Sequence, residues 1–136
     1  MKAITLKALA ILICAFFLSS CDNSTGPTLV NNNGNNNGNQ APAAPNSPSP
    51  ADSSVNQSNN VTLSWHCTDP NAGDTLKYDV YISNSPVPTL LTSNLVNPSY
   101  GIGIVDHNTT FYWKVVAKDN HGASTNSPIW RFKTAP

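Results

Sequence analysis

The chain contains no glutamate: all seven of its acidic residues are aspartate, set against seven lysines and arginines. Charged residues fill 10% of the 136 positions with no excess of either sign, so the electrostatic footprint of a nucleic-acid binder is missing. An EF-hand loop, which closes on a glutamate, is excluded by the same absence. Cysteine is scarce, at positions 14, 21 and 67. Cys14 lies inside a hydrophobic run and Cys21 closes it, leaving Cys67 alone in the rest of the chain, where no internal disulfide can form and a core must hold the fold. Cys67 shares the parity of Leu63 and Trp65, which makes it a buried apolar thiol. Long apolar runs are also lacking: the longest, residues 8–18, is too short to span a bilayer.

What that run does fit is the core of a signal peptide, behind Lys2 and Lys7. It ends Leu18-Ser19-Ser20-Cys21, and this resembles the lipobox of bacterial lipoproteins, with Leu three positions before an obligatory Cys and small residues between. The resemblance implies cleavage after residue 20, diacylglycerol on Cys21, a membrane tether that does not span, and a place in the cell envelope, with the outer membrane or cell surface favoured over the inner membrane. Each buried methylene of the attached chains would contribute about 0.8 kcal/mol. The mature chain then carries five basic residues against seven aspartates, a net charge of about −2. Residues 21–46, rich in Asn and then in Ala and Pro, have few apolar side chains to offset chain entropy and read as a disordered tether about 25–30 Å in reach.

From residue 47 to 136, short alternating segments are punctuated by Pro, Gly, Asn and Asp, the pattern of an all-β sandwich. Val61, Leu63, Trp65 and Cys67 form one strand face. Leu76, Tyr78, Val80 and Ile82 form the next, followed by an edge strand near Leu90 and Leu91, a strand with Tyr100, Ile102 and Ile104 on one side, and a last strand alternating Trp130, Phe132 and Thr134. The best-defined strand starts at Phe111, with Phe111, Trp113, Val115 and Ala117 on one face and Tyr112, Lys114, Val116 and Lys118 on the other, before the turn Asp119-Asn120-His121-Gly122.

In order and spacing these segments resemble a fibronectin type III domain of the kind common in bacterial surface proteins. The resemblance implies a seven-stranded immunoglobulin-like sandwich, A-B-E against C′-C-F-G, with Trp65 as the core indole of strand B. The position of the family's corner tyrosine holds Phe111 here. A phenylalanine cannot donate the hydrogen bond that ties that corner, normally worth about 1 kcal/mol. An apolar corner is expected, because a one-residue register shift would expose Trp113 and bury Lys114.

Catalysis has weak footing. No nucleophile, base and oxyanion hole are legible together, and a small packed sandwich offers no cleft between two carboxylates; the chain is expected not to be an enzyme and to need no cofactor. Two candidate surfaces remain. The inferred topology gathers His66, Asp69, Asn71 and Asp74 of the B-C loop near Asp119, Asn120 and His121 of the F-G loop, with His107 at the far end. These oxygens suit a calcium ion, but turns require the same residues, and the expectation is a structural turn with no metal. Zinc is disfavoured because His66 and Cys67 point oppositely. On the outer face of the C-F-G sheet, Tyr81 and Tyr112 should be neighbours, beside Lys114, Val116 and Arg131. Such a face suits a protein partner or, by stacking on sugar rings, a glycan, against the alternative that these are pairs stabilising the sheet. The expected function is non-catalytic display of the module at the envelope, with carbohydrate binding as the alternative.

Overall fold

A computed structural model describes residues 38–136; the expected signal peptide, the expected lipidation at Cys21 and the Asn-rich run to residue 37 lie outside the described residues. The described chain is all β: β1 (Asn46–Ser49), β2 (Ser54–Gln57), β3 (Asn60–His66), β4 (Lys77–Ser83), β5 (Thr89–Leu95), β6 (Ser99–Ile104), β7 (Thr110–Lys118), β8 (Ser124–Asn126) and β9 (Trp130–Thr134). They form two sheets, β1-β3-β6 and β2-β9-β7-β4-β5, with β8 beside β7. This is the A-B-E and C′-C-F-G arrangement of an immunoglobulin-like sandwich. The count exceeds seven because the final strand is split into β8 and β9, and because the short β2 joins the larger sheet parallel to β9.

Alternation along the strands makes the core. Val61, Leu63 and Trp65 from β3 meet Tyr78 and Val80 from β4, Trp113, Val115 and Ala117 from β7, and Trp130 and Phe132 from β9, all buried. Each large apolar side chain so buried contributes roughly 1.5–3 kcal/mol. The aromatic rings interlock: Trp65 meets Tyr78 edge-on across the two sheets at 5.3 Å between centroids, and Trp113 lies 4.8 Å from its cross-strand neighbour Trp130 within the larger sheet. The β4–β7 register pairs Val80 with Val115 and Ile82 with Trp113, which keeps these residues on the inner face and sends Tyr81, Tyr112 and Lys114 outward.

The corner at the start of β7 is apolar: Phe111 stacks on Phe132 at 5.6 Å. The missing hydroxyl is replaced from another strand. Thr134, 1% exposed, donates its hydroxyl to the Asp106 carbonyl at 2.7 Å and accepts the Thr109 N–H at 2.9 Å. A threonine at the end of β9 thus ties down the β6–β7 connection.

Three expectations need correction. The tether does not extend to residue 46: Asn46 opens β1, Pro45 is fully buried, and the Ala43 N–H bonds the Thr68 carbonyl at 2.9 Å. Residues 38–45 therefore lie against the sandwich. Ile104 does not face the core but is 80% exposed, because the β3–β6 register slips between Val61 and Thr62. Gly103, at φ +78°, takes the left-handed conformation this bulge needs and turns Ile104 outward, while Val105 packs on the core in its place. Cys67 falls just past the end of β3 and is half-buried rather than buried.

Candidate functional site

The first candidate surface is the outer face of the larger sheet. Tyr81 on β4 stands opposite Lys114 on β7 and Leu90 on β5, and Tyr112 on β7 stands opposite Ser83 on β4 and Arg131 on β9. The tyrosines are diagonal neighbours, as the period-two reading required, but both are half-buried. The Lys114 ammonium sits over the Tyr81 ring, 4.9 Å from its centroid, a cation–π contact that already covers part of that ring. Tyr112 and Arg131 line an open depression of about 200 Å³ with Ser53, Ser54 and Val55. Arg131 is held there by its backbone N–H on Asp52 Oδ1 at 2.9 Å and its Nε on Ser53 Oγ at 3.3 Å. Leu90, 56% exposed, and Leu91 extend the apolar surface toward the free edge of β5. The leucines are legible in the sequence only as an edge strand; the place of Leu90 beside Tyr81 follows from the β4–β5 register. Val116 lies further along β7, opposite Asp79, whose carboxylate pairs with Lys118 at 2.8 Å.

The second is the end of the sandwich where the β3–β4 and β7–β8 loops meet. Carboxylate oxygens of Asp69, Asp74 and Asp119 lie within 4.8 Å of one another. Each loop holds its own aspartate. The Asn71 N–H bonds Asp69 Oδ1 at 2.7 Å, and the Asp74 N–H bonds the Asn71 carbonyl at 3.2 Å. The His121 and Ala123 N–H groups bond Asp119 Oδ1 at 2.9 and 2.8 Å. Burial alone would push the pKa of Asp119 up, but hydrogen bonds from the Asn39 side chain and from the Ala123, His121 and Gly122 backbone outweigh it and hold the carboxyl below the usual aspartate range. His121, at the rim, places Nε2 3.2 Å from Asp74 Oδ1, and Asn120 Oδ1 accepts the Thr75 N–H at 3.0 Å, joining the two loops.

Sequence reasoning missed a third contributor. Asn39 donates its Nδ2 to Asp119 Oδ2 at 2.8 Å. Asn71 grips the same segment, accepting the Gln40 N–H on Oδ1 at 2.7 Å and donating Nδ2 to the Gly38 carbonyl at 3.1 Å. Nothing in the Asn-rich run sets Asn39 apart from its neighbours. His66 is exposed at the end of β3, away from the cluster's hydrogen bonds. Cys67 donates its thiol to the Ala43 carbonyl at 3.2 Å; burial first, and Asp69 second, push its pKa up, so it stays protonated and a poor nucleophile at neutral pH. His107, at the opposite end, bonds Asn59 at 3.0 Å.

No protein-family profile matches the chain, and no curated protein matches it. Solved structures do. An Fn3-like protein from Clostridium thermocellum is 27% identical, with a TM-score of 0.52 over 71% of this chain and 97% of that one. The fibronectin type III domain of human fibronectin type III domain containing protein 3 is 18% identical, with a TM-score of 0.50 over 71% and 89%. Residues 38–136 thus have the fold of fibronectin type III domains, and it is to these that the chain is similar.

Proposed function

We infer that the chain is a bacterial lipoprotein, anchored through acylated Cys21, that displays a fibronectin type III-like module at the cell envelope to bind a protein partner without catalysing a reaction. The observation that carries the binding half is the outer face of the larger sheet. There Leu90, Tyr81, Tyr112 and Arg131 bring apolar edge, aromatic rings and a guanidinium onto a rigid, flat support. Aromatic residues and arginine are the side chains most enriched at protein interfaces. The anchoring half is supported by the Leu18-Ser19-Ser20-Cys21 box.

The test is cross-linking on intact cells followed by identification of the captured protein. Leu90→Ser combined with Tyr112→Ala should abolish capture while leaving the module folded; capture unchanged by both would refute the assignment of this face. Incorporation of a palmitate analogue, lost in Cys21→Ser, checks the anchor. The Tyr112–Arg131 depression favours a second reading, in which the face stacks on a sugar ring. Glycan-array binding that Tyr112→Ala eliminates would select it. Substrate turnover that His121→Ala eliminates would overturn both.

A further inference from the structure

At the end of the sandwich where residues 38–45 dock, three buried oxygens have no hydrogen-bond partner among the described residues: Asn39 Oδ1, Asp69 Oδ2 and Asp74 Oδ2. Asp74 keeps only 9% of its side-chain exposure, and Asp119 beside it is 8% exposed. A buried carboxylate oxygen without a donor is costly, and three carboxylates packed together multiply that cost unless a positive charge lies among them. No lysine or arginine among the described residues pairs with them; Lys118 is engaged by Asp79, and His121 touches only the other oxygen of Asp74. Asn39 is the independent pointer. It is neutral, comes from a different segment, and keeps a buried, unanswered oxygen beside the nitrogen that bonds Asp119 Oδ2.

We propose that this end of the domain binds one calcium ion, held by Asp69 Oδ2, Asp74 Oδ2, Asp119 Oδ2 and Asn39 Oδ1, and that the ion fastens residues 38–45 to the sandwich. Four features fit. The donors are all oxygen, the hard ligand set that calcium prefers and zinc or copper does not. Oxygens that each sit about 2.3–2.6 Å from one ion are at most about 5 Å apart, and the three carboxylates already meet that limit at 4.8 Å. In Asp69, Asp74 and Asp119 the Oδ1 oxygen of the carboxylate is engaged by a backbone N–H or by His121, which orients Oδ2 before any ion arrives; Oδ2 is unpartnered in Asp69 and Asp74 and accepts only the Asn39 amide in Asp119. Water would complete a shell of six to eight ligands. Because the ligands come from the N-terminal segment, the β3–β4 loop and the β7–β8 loop, one ion would crosslink all three. The proposal stands independently of any partner for the outer sheet face.

The experiment uses the full chain in detergent, stripped with EDTA and dialysed at fixed ionic strength. Addition of 1 mM CaCl₂, an excess over the expected dissociation constant, should raise Tm by about 5 °C or more and give a one-site binding isotherm by calorimetry. The same concentration of MgCl₂ should give less than half that shift. Asp69→Asn combined with Asp74→Asn should remove the calcium response while the protein still melts cooperatively in EDTA. As a readout that does not depend on a variant, hydrogen exchange at the Gln40 and Ala43 amides should slow at least tenfold on calcium addition. Equal melting in EDTA and in calcium would overturn the proposal, as would an equal response to magnesium. Calcium binding that leaves exchange in residues 38–45 unchanged, or survives Asn39→Ala undiminished, would overturn the fastening role.

Discussion

The two ends of the sandwich solve one problem with opposite chemistry. Both must bring strand-connecting loops to rest against a dry interior. At the end occupied by residues 105–109, Thr134 supplies a neutral hydroxyl that both donates and accepts, and backbone pairs such as Asn108 N–H to the Ala135 carbonyl at 2.8 Å complete the closure. None of the buried unpartnered side-chain atoms lies in residues 105–109 or at Thr134, whereas three are at the other end. There, carboxylates organise the loops and leave oxygens unanswered. Closure by neutral groups is complete in itself, and closure by charge retains a capacity for a ligand.

That contrast can be broken by substitution at either end, read by urea denaturation in EDTA. Asp119→Ala should have the largest effect, a loss of about 3 kcal/mol, because it strands the buried N–H of Ala123 and the part-buried N–H of His121, which now bond a charged acceptor. A loss below about 1 kcal/mol would show that the carboxylate does not organise its loop. Thr134→Val, which keeps the shape and removes the hydroxyl, should cost about 2 kcal/mol by orphaning the Thr109 N–H and the Asp106 carbonyl; its cost should be the same with and without calcium. Asn39→Ala should cost about 1 kcal/mol, since it deletes one charge-assisted bond in a half-buried place. His107→Ala, which loses an exposed bond to Asn59, should change stability by less than about 0.5 kcal/mol. If the two variants of the carboxylate end proved milder than the two of the other end, the comparison would be reversed.

How much of this was written legibly in the residues depends on whether a segment owes its structure to its own pattern. β3, β4, β7 and β9 alternate strictly, so their faces could be read directly; the order of the strands in two sheets is what the resemblance to fibronectin type III domains implies, and from that topology the meeting of Asp69, Asp74 and Asp119 followed. β2 could not be read, because Ser-Val-Asn-Gln carries no alternation and is a strand only through its pairing with β9. Ile104 was misplaced because a bulge adds one residue and inverts parity, and Gly103 looks no different from Gly101 until its backbone is seen. Residues 38–45 read as tether because they hold little apolar surface. They are ordered by side chains 30 to 80 positions away, Asn71 and Asp119 among them, and composition cannot report such contacts.

The docked segment also decides how the module would answer a pull. The chain enters beside His66, where β1 begins against β3, and β9 finishes beside Thr110 at the far end. Traction between the two termini would run lengthwise through the strands and load their ladders in shear. The bonds that hold Asn39, Gln40 and Ala43 come first in that line, so they would act as the fuse that yields before the two sheets are asked to bear the force.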